Sequence, residues 1–145
     1  MRRKARELAL QVLFQRDLRR KGVDDILPYT PLPASWDEDT RDFFLTLVRG
    51  VEEKEREIDR LITEIAEGWP LYRMATIDRN ILRLATYEIV FLPEIPASVS
   101  INEAVELGKK YGTEESGRFI NGVLGRLVRY LGKSKELEEV KGNGS

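Results

Sequence analysis

Residues 2–21, "RRKARELALQVLFQRDLRRK", decide how the rest of the chain must be arranged. The segment has apolar residues at helical spacing on two sides: Ala5, Leu8, Ala9, Val12 and Leu13 on one, and Leu10, Phe14 and Leu18 on the other. A helix that is apolar on two sides must pack against neighbours on both. The segment therefore predicts a central helix from about Arg3 to Lys21, followed by Gly22 as the residue that ends it.

The same segment concentrates positive charge. The chain has 24 Lys and Arg against 25 Asp and Glu, a formal net charge of -1. Its first 21 residues nevertheless hold eight of the basic residues: Arg2, Arg3, Lys4, Arg6, Arg16, Arg19, Arg20 and Lys21. A basic helix face that is merely solvated explains this, and so does a site for phosphate groups. Positive side chains at a helix N-terminus oppose the helix dipole by ~0.3–1 kcal/mol each, which favours the phosphate site.

Composition narrows the class of protein. The chain of 145 residues is about one domain long and contains neither Cys nor His. Catalytic triads with His, Cys nucleophiles and zinc sites built from nitrogen and sulfur ligands are therefore excluded, and phosphate-binding glycine motifs are absent. We expect a binding protein rather than an enzyme, with no cofactor and no metal. Without a long apolar run or a secretory signal, we also expect a cytoplasmic protein that does not bind membranes.

The remaining sequence predicts helices almost throughout. Ser35 and Glu38 form a capping-box pattern that would start a helix at Trp36, after a proline-rich loop at 28–34. Whether that segment is one long helix or two helices broken near Gly50 is open on the pattern alone. The predicted helices cover approximately residues 3–21, 24–27, 36–65, 77–92, 100–112 and from 113 or 116 to 131.

The caps in the second half follow the same rules. Thr76 is a candidate N-cap for the helix that begins at Ile77. Ser100 with Glu103 is a second capping-box pattern, starting a helix that ends at Gly112. Either Thr113 or Ser116 caps the last helix. The fold class is therefore all-α, with six to seven helices.

Three features of the predicted helices have a functional and a structural interpretation. Glu88 lies within an apolar stripe, which predicts a buried link to an Arg or to backbone donors rather than a catalytic group. Gly122 and Gly125 indicate either a closely packed neighbouring helix or a ligand backbone. Phe119, at the edge of its stripe, either packs in the core or stacks on an unpaired base.

Four stretches together resemble the NusB family of bacterial transcription antitermination factors. They are "RRKARELALQVLF" at 2–14, "DRNILRLATYE" at 78–88, "INEAVELGKKYG" at 101–112 and "GRFINGVL" at 117–124. They occur in the family's order and span about residues 2–131. Gly108 stands where the family commonly has alanine and Arg118 where it has lysine, and the proline-rich segment has no counterpart.

The resemblance implies two small helical bundles that share the N-terminal helix. The single domain would cover residues 1–132, with about 1–67 in the N-terminal bundle and 68–132 in the C-terminal bundle. A polar tail would follow at 133–145.

The resemblance also implies a function. Family members bind the boxA element of ribosomal RNA operons as single-stranded RNA, together with NusE, a small-subunit ribosomal protein. The resulting complex helps RNA polymerase to read through terminators and supports rRNA maturation.

The family's functional positions are matched by residues at both ends of this sequence. Arg2, Arg3, Lys4 and Arg6 match the arginine-rich RNA-binding start. Phe119 and Asn121 match positions near the bound RNA, with Glu115 in the same neighbourhood, and Asp78 matches an acidic position at the side where NusE and RNA meet.

Two alternatives stay open on the sequence. One is a helical adaptor that binds proteins only, with its basic end solvated. The other is a relative of the NusB-like domain of rRNA cytosine methyltransferases, which would require a further domain with catalytic cysteines.

Overall fold

The computed structural model describes the backbone of residues 2–143 and the side chains of residues 2–132. Within that range the fold is all-α, as predicted. The six helices are α1 (Arg2–Arg19), α2 (Val23–Ile26), α3 (Glu38–Ile65), α4 (Thr76–Phe91), α5 (Ala97–Tyr111) and α6 (Ser116–Asn143). Two short 3₁₀ helices, Leu27–Tyr29 and Leu71–Arg73, lie in the connections. None of the helices described is long and apolar enough to cross a membrane.

Helix α1 packs against three other helices, α2, α3 and α4. Helices α4, α5 and α6 pack against one another, and α3 also packs against α4 and α6. The first predicted stripe of α1 is buried at Ala5, Ala9, Val12 and Leu13. Of the second stripe, Leu10 at its start is buried, whereas Leu18 at its end is 65% exposed.

Helix α3 is one continuous helix, which settles the question raised by Gly50. Its N-cap is Asp37 rather than Ser35, so the first predicted capping box is wrong. The Thr40 N–H donates to Asp37 Oδ1 at 2.9 Å. Trp36 lies before the helix, buried with its ring centroid 5.9 Å from that of Phe44.

The second capping box is wrong as well. Helix α5 begins at Ala97, so Ser100 lies inside its first turn. The Ser100 hydroxyl donates to Glu88 Oε1 at 3.1 Å, and Glu103 accepts from Arg3 instead of capping the helix. Both side chains of the motif are therefore used in contacts with distant segments.

Three helix ends also differ from prediction. Helix α1 ends at Arg19 and Arg20 takes the left-handed backbone conformation with φ 55°, so Gly22 is not the terminating residue. Thr76 is the first residue of α4 rather than its cap. The backbone of α6 continues to Asn143, past the predicted end at Leu131. The side chains of the predicted polar tail, 133–145, lie outside the described residues.

The contact between α5 and α6 depends on a glycine. A Cβ on Gly108 would lie 2.8 Å from Ile120 Cδ1 and 3.3 Å from the Gly117 nitrogen. Gly108 therefore permits a close approach of the two helices that a larger residue would oppose. Gly122, by contrast, has open space around it, so of its two interpretations the closely packed neighbouring helix does not hold.

A network of buried and half-buried charges joins α1, α3 and α4; we call it the seam. Arg83 donates to Asp17 at 3.0 Å and to Asp59 at 2.9 Å, and Arg16 donates to Glu55 at 2.8 Å. Burial by itself would raise the pKa of Asp17, but hydrogen bonds from Arg79 and Asn80 and the charge of Arg83 outweigh it and lower that pKa. These contacts fix α4 against α1 and α3.

Candidate nucleic-acid interface

The basic residues at the start of α1 contact different neighbouring side chains. We call Arg2, Arg3 and Lys4, all exposed, the basic edge. The Arg2 guanidinium lies 4.3 Å from the centroid of the Phe43 ring. Arg3 donates two hydrogen bonds of 3.0 Å to Glu103, and Lys4 Nζ lies 3.6 Å from Glu7 Oε2. The cluster is therefore partly neutralised by carboxylates of this chain.

Arg6 departs from the predicted phosphate contact. It is only 4% exposed, and its guanidinium donates to both oxygens of Glu88, the shortest bond being 2.7 Å. An arginine that is buried, with Nε and Nη2 both held by a carboxylate, is not accessible to a phosphate. Arg6 thus belongs to the core, and the interpretation of Glu88 as a buried link to an arginine is confirmed.

Carboxylates next to the basic edge are stabilised in their charged form. The hydrogen bond from Arg3 lowers the pKa of Glu103. Burial opposes ionisation of Glu7, but Lys110 and Lys4 outweigh it, so the pKa of Glu7 is lowered too. The shallow groove at this end is lined by four cations and three carboxylates: Arg3, Lys4, Lys109, Lys110, Glu7, Glu103 and Glu106.

A second groove, which we call the aromatic groove, brings together three of the predicted site residues. Phe119, Glu115 and Asp78 line one concavity of about 400 Å³. Its full lining is Trp69, Arg73, Met74, Ala75, Asp78, Glu115, Arg118 and Phe119. Residues from the α3–α4 connection, from α4 and from the start of α6 thus meet at one place.

Local backbone geometry presents the wall formed by Trp69. After α3, Glu67 (φ 32°) and Gly68 (φ 76°) both take positive φ, which turns the chain sharply out of the helix direction. The Trp69 N–H donates to the Ala66 carbonyl at 3.1 Å, and the indole is left 51% exposed. The turn therefore places a large aromatic side chain at the rim of the groove.

The charged side chains of the aromatic groove differ from those of the basic edge. Arg73 and Arg118 are exposed, and neither forms an ion pair with any side chain in residues 2–132. Asp78 Oδ1 is buried and has no hydrogen-bond partner within the described part of the chain. The groove therefore holds two uncommitted guanidinium groups and a carboxylate with unused acceptor capacity.

We call a third concavity the middle groove. It is lined by Leu10, Gln11, Phe14, Gln15, Leu18, Arg19, Ile77 and Tyr111. Tyr111 follows Lys110 of the basic end along α5, and Ile77 precedes Asp78 of the aromatic groove along α4. The middle groove therefore shares neighbouring residues of α5 with the basic end and of α4 with the aromatic groove.

Comparison with known proteins agrees with this architecture. The model of the NusB family matches residues 3–129. The chain belongs to the NusB family. The transcription antitermination protein NusB of Pelotomaculum thermopropionicum is 48% identical over 146 residues, with 99% of each chain covered. The NusB family comprises non-enzymatic antitermination factors. This favours a binding protein over the methyltransferase-domain alternative.

Solved NusB structures match the fold. T. maritima NusB is 41% identical, with a TM-score of 0.83 over 89% of this chain and 91% of that one. A structure of the antitermination factors NusB and NusE in complex with dsRNA contains a chain 28% identical to this one. That match has a TM-score of 0.77 and covers 89% of this chain and 96% of the other.

One predicted residue of this NusB-family chain lies apart from the groove. Asn121 is exposed on α6 but does not line the aromatic groove. Side chains two positions apart in an α-helix point in directions about 200° apart around the helix axis. Asn121 and Phe119 therefore lie on different faces of α6. An RNA that contacts both must cross the start of α6.

Sequence reasoning missed three groove residues, Trp69, Arg73 and Arg118. "EGWP" was interpreted only as the end of a helical segment, and Arg118 only as a departure from the NusB pattern. A tryptophan next to a glycine outside any apolar stripe was the available signal for Trp69. As for metals, no three carboxylate side chains in the described range converge as ligands for an ion.

Proposed function

We propose that this chain is a cytoplasmic transcription antitermination factor that binds single-stranded boxA-type RNA together with NusE. The complex supports read-through by RNA polymerase and rRNA maturation. The observation that carries the proposal is that the expected RNA-binding residues line two concavities, Arg3 and Lys4 in one and Phe119 with Glu115 in the other. The relative solved with NusE and dsRNA supports it.

In this proposal the basic edge binds phosphates. Arg3 and Lys4 are paired, but both are largely exposed, and exposed ion pairs are worth only ~0–1 kcal/mol. A phosphate can therefore replace the carboxylate at little cost. Arg2, held over an aromatic ring rather than by a carboxylate, is available at once.

The aromatic groove takes the bases. Phe119 is half-buried in its wall, so part of the ring is available for stacking on an unpaired base. Glu115 lines the same groove and adds acceptor capacity, and the exposed Arg118 lies beside it for the RNA backbone. Asn121 offers an amide where the strand leaves the groove.

NusE occupies the middle groove and extends to the side of Asp78, where it meets the RNA. Leu18 is exposed there beside Phe14, Ile77 and Tyr111, and an exposed apolar cluster with polar neighbours is typical of a protein-binding surface. Because residues of this groove are sequence neighbours of residues in both RNA-binding concavities, a protein bound in it extends the surface offered to the strand.

Titration of single-stranded boxA RNA at several salt concentrations, with and without NusE, tests the proposal. Three phosphate contacts by the basic edge predict a log–log salt slope of about −2, at ~0.7 per phosphate. We expect tighter binding with NusE and weaker binding of the matched duplex. Equal affinity with and without NusE contradicts the joint site. Neutral substitution of Arg2, Arg3 and Lys4 without loss of RNA affinity favours the protein-only adaptor.

A further inference from the structure

We propose that the aromatic groove holds one unstacked nucleobase, with Trp69 as its stacking platform and Asp78 as the acceptor for N–H groups of its edge. This arrangement prefers guanine to uracil. The inference rests on the proposed RNA-binding function and specifies what one part of that site recognises.

Trp69 is placed as a platform and not as a core residue. The other tryptophan, Trp36, is 5% exposed and packs near Phe44, whereas Trp69 is 51% exposed beside Phe119 and Met74. Leaving half an indole in water forfeits hydrophobic stabilisation. A base that stacks on the indole recovers it, and stacking of this kind tolerates any base.

The platform is anchored to the rigid part of the molecule. Arg79 Nη1 donates to the Leu71 carbonyl at 2.9 Å, which ties the 3₁₀ turn after Trp69 to α4. Arg79 is in turn held by Asp17 at 2.8 Å. The wall of the groove is therefore fixed before a ligand binds, which lowers the entropic cost of binding.

Asp78 supplies the selectivity. A carboxylate is an acceptor only, and leaving one of its oxygens buried without a donor costs free energy. That oxygen is closed off from the groove in this structure, but no hydrogen bond within the described residues holds it, so a turn of the Asp78 side chain brings it to a ligand N–H in the groove. The donor gains more there than at a fully hydrated carboxylate. Glu115 adds a second acceptor to the same groove.

The acceptors discriminate between bases by their edges. Guanine presents adjacent N1–H and N2–H donors, which a carboxylate can accept together. Uracil presents one N–H flanked by two carbonyl oxygens, which a carboxylate repels. An acceptor-lined groove therefore favours guanine most and uracil least.

The charge of the groove fits a base better than a phosphate. Two carboxylates balance Arg73 and Arg118, so the groove has no excess of positive charge to attract an anion. The arginines, exposed and without carboxylate partners in residues 2–132, are available for phosphates on either side of the base. The groove thus reads a base, while its arginines hold the strand.

The test uses six-nucleotide RNAs of uridine with guanosine, adenosine or cytidine at the third position, and the all-uridine hexamer. Binding to the full chain is measured by the anisotropy of a fluorescein label on the RNA, and tryptophan fluorescence is recorded in parallel. We expect the guanosine hexamer to bind about tenfold more tightly than the all-uridine one. Asp78→Asn should bring the two affinities within about twofold, with an unchanged salt slope. Glu114→Gln, a neighbouring change outside the groove, should preserve the preference.

Variants of the platform complete the experiment. Trp69→Leu should weaken the guanosine hexamer about tenfold, and Trp69→Phe should restore most of that loss, because stacking needs a ring. The fluorescence change on binding should vanish in Trp69→Phe. Tyr72→Ala, an exposed aromatic in the same turn that does not line the groove, serves as the control and should leave affinity unchanged.

The outcomes separate the two claims. Salt-dependent RNA binding with equal affinity for the guanosine and all-uridine hexamers, or with Trp69→Leu as tight as wild type, overturns the inference while the RNA-binding function stands. Absence of binding to every RNA, at low salt and with NusE present, overturns the proposed function and the inference with it.

Discussion

Arginines in the core and arginines at the aromatic groove are the same residue type in opposite roles. Arg6 and Arg83 are buried and held by carboxylates of other helices. Arg73 and Arg118 are exposed and have no carboxylate partner within residues 2–132. The two kinds of arginine differ in whether the fold places a carboxylate from a distant segment within hydrogen-bond distance. The role of an arginine therefore follows from the fold rather than from its local sequence.

The basic edge lies between these extremes. Arg3 is exposed like the groove arginines yet paired with Glu103 like the core arginines. Substitutions of the core arginines should therefore change stability, and substitutions at the aromatic groove should change RNA affinity. Substitutions at the basic edge should change how strongly carboxylates of this chain compete with RNA phosphates.

The largest effect is expected from Arg6→Ala. Removing one partner of a buried ion pair leaves Glu88 charged and unpaired, at a cost of about 3–5 kcal/mol in the free energy of unfolding. Urea denaturation measures this. The matched control is Arg118→Ala, which should change stability by less than ~0.5 kcal/mol. Loss of RNA affinity in Arg6→Ala without loss of stability would return Arg6 to the RNA site.

Acid should weaken the seam next. The pKa of Asp17 is lowered, and hydrogen bonds from Arg16 lower that of Glu55. A group with a lowered folded pKa contributes stability above its unfolded pKa and loses it as pH falls through the folded value. Melting temperatures should thus hold from pH 7 to about 4, the ordinary range for these carboxyls, and fall below it.

Asp17→Asn sharpens the acid experiment. The variant should be less stable than wild type at pH 7 and lose less on acidification, because the carboxylate responsible is absent. If the melting temperatures of the two proteins fell by the same amount from pH 7 to pH 3, Asp17 would not couple stability to pH.

A smaller effect, on RNA affinity alone, is expected from Arg118→Gln. Loss of one phosphate contact should weaken binding about three- to tenfold and reduce the log–log salt slope by ~0.7. The unfolding free energy should stay at the wild-type value. RNA titrations across salt concentrations give both quantities, and an unchanged slope would remove Arg118 from the site.

The smallest effect, and one of opposite sign, is expected from Glu103→Gln. This change frees Arg3 from a competing carboxylate, so RNA affinity should rise about two- to threefold, as expected for an exposed pair worth ~0–1 kcal/mol. Glu106→Gln, which removes a carboxylate of the same groove that makes no hydrogen bond to Arg3, is the control and should raise affinity less. A decrease in affinity would mean that Glu103 orients Arg3 for RNA.

The helices could be predicted from the sequence because apolar periodicity is local and strong. The capping boxes failed for a physical reason. Ser100 and Glu103 satisfy the local pattern, but tertiary contacts with Glu88 and Arg3 use both side chains, and no local pattern contains those partners.

The candidate site was predictable only in part. The resemblance pointed to Phe119, Glu115 and Asp78, which the structure brings into one groove. Trp69 and Arg73 join them from the α3–α4 connection. That connection reaches the groove because Glu67 and Gly68 both take positive φ and because α6 packs nearby. Such long-range geometry does not follow from spacing along the chain.

Amide chemical-shift mapping with single-stranded boxA RNA is the sharpest test of where RNA binds this chain. We predict shifts at residues 2–4, 69–78 and 115–119, with the indole N–H of Trp69 moving and that of buried Trp36 unchanged. Shifts confined instead to residues 45–53 of α3, which line none of the three grooves, with both indole signals unmoved, would overturn this position for the RNA site.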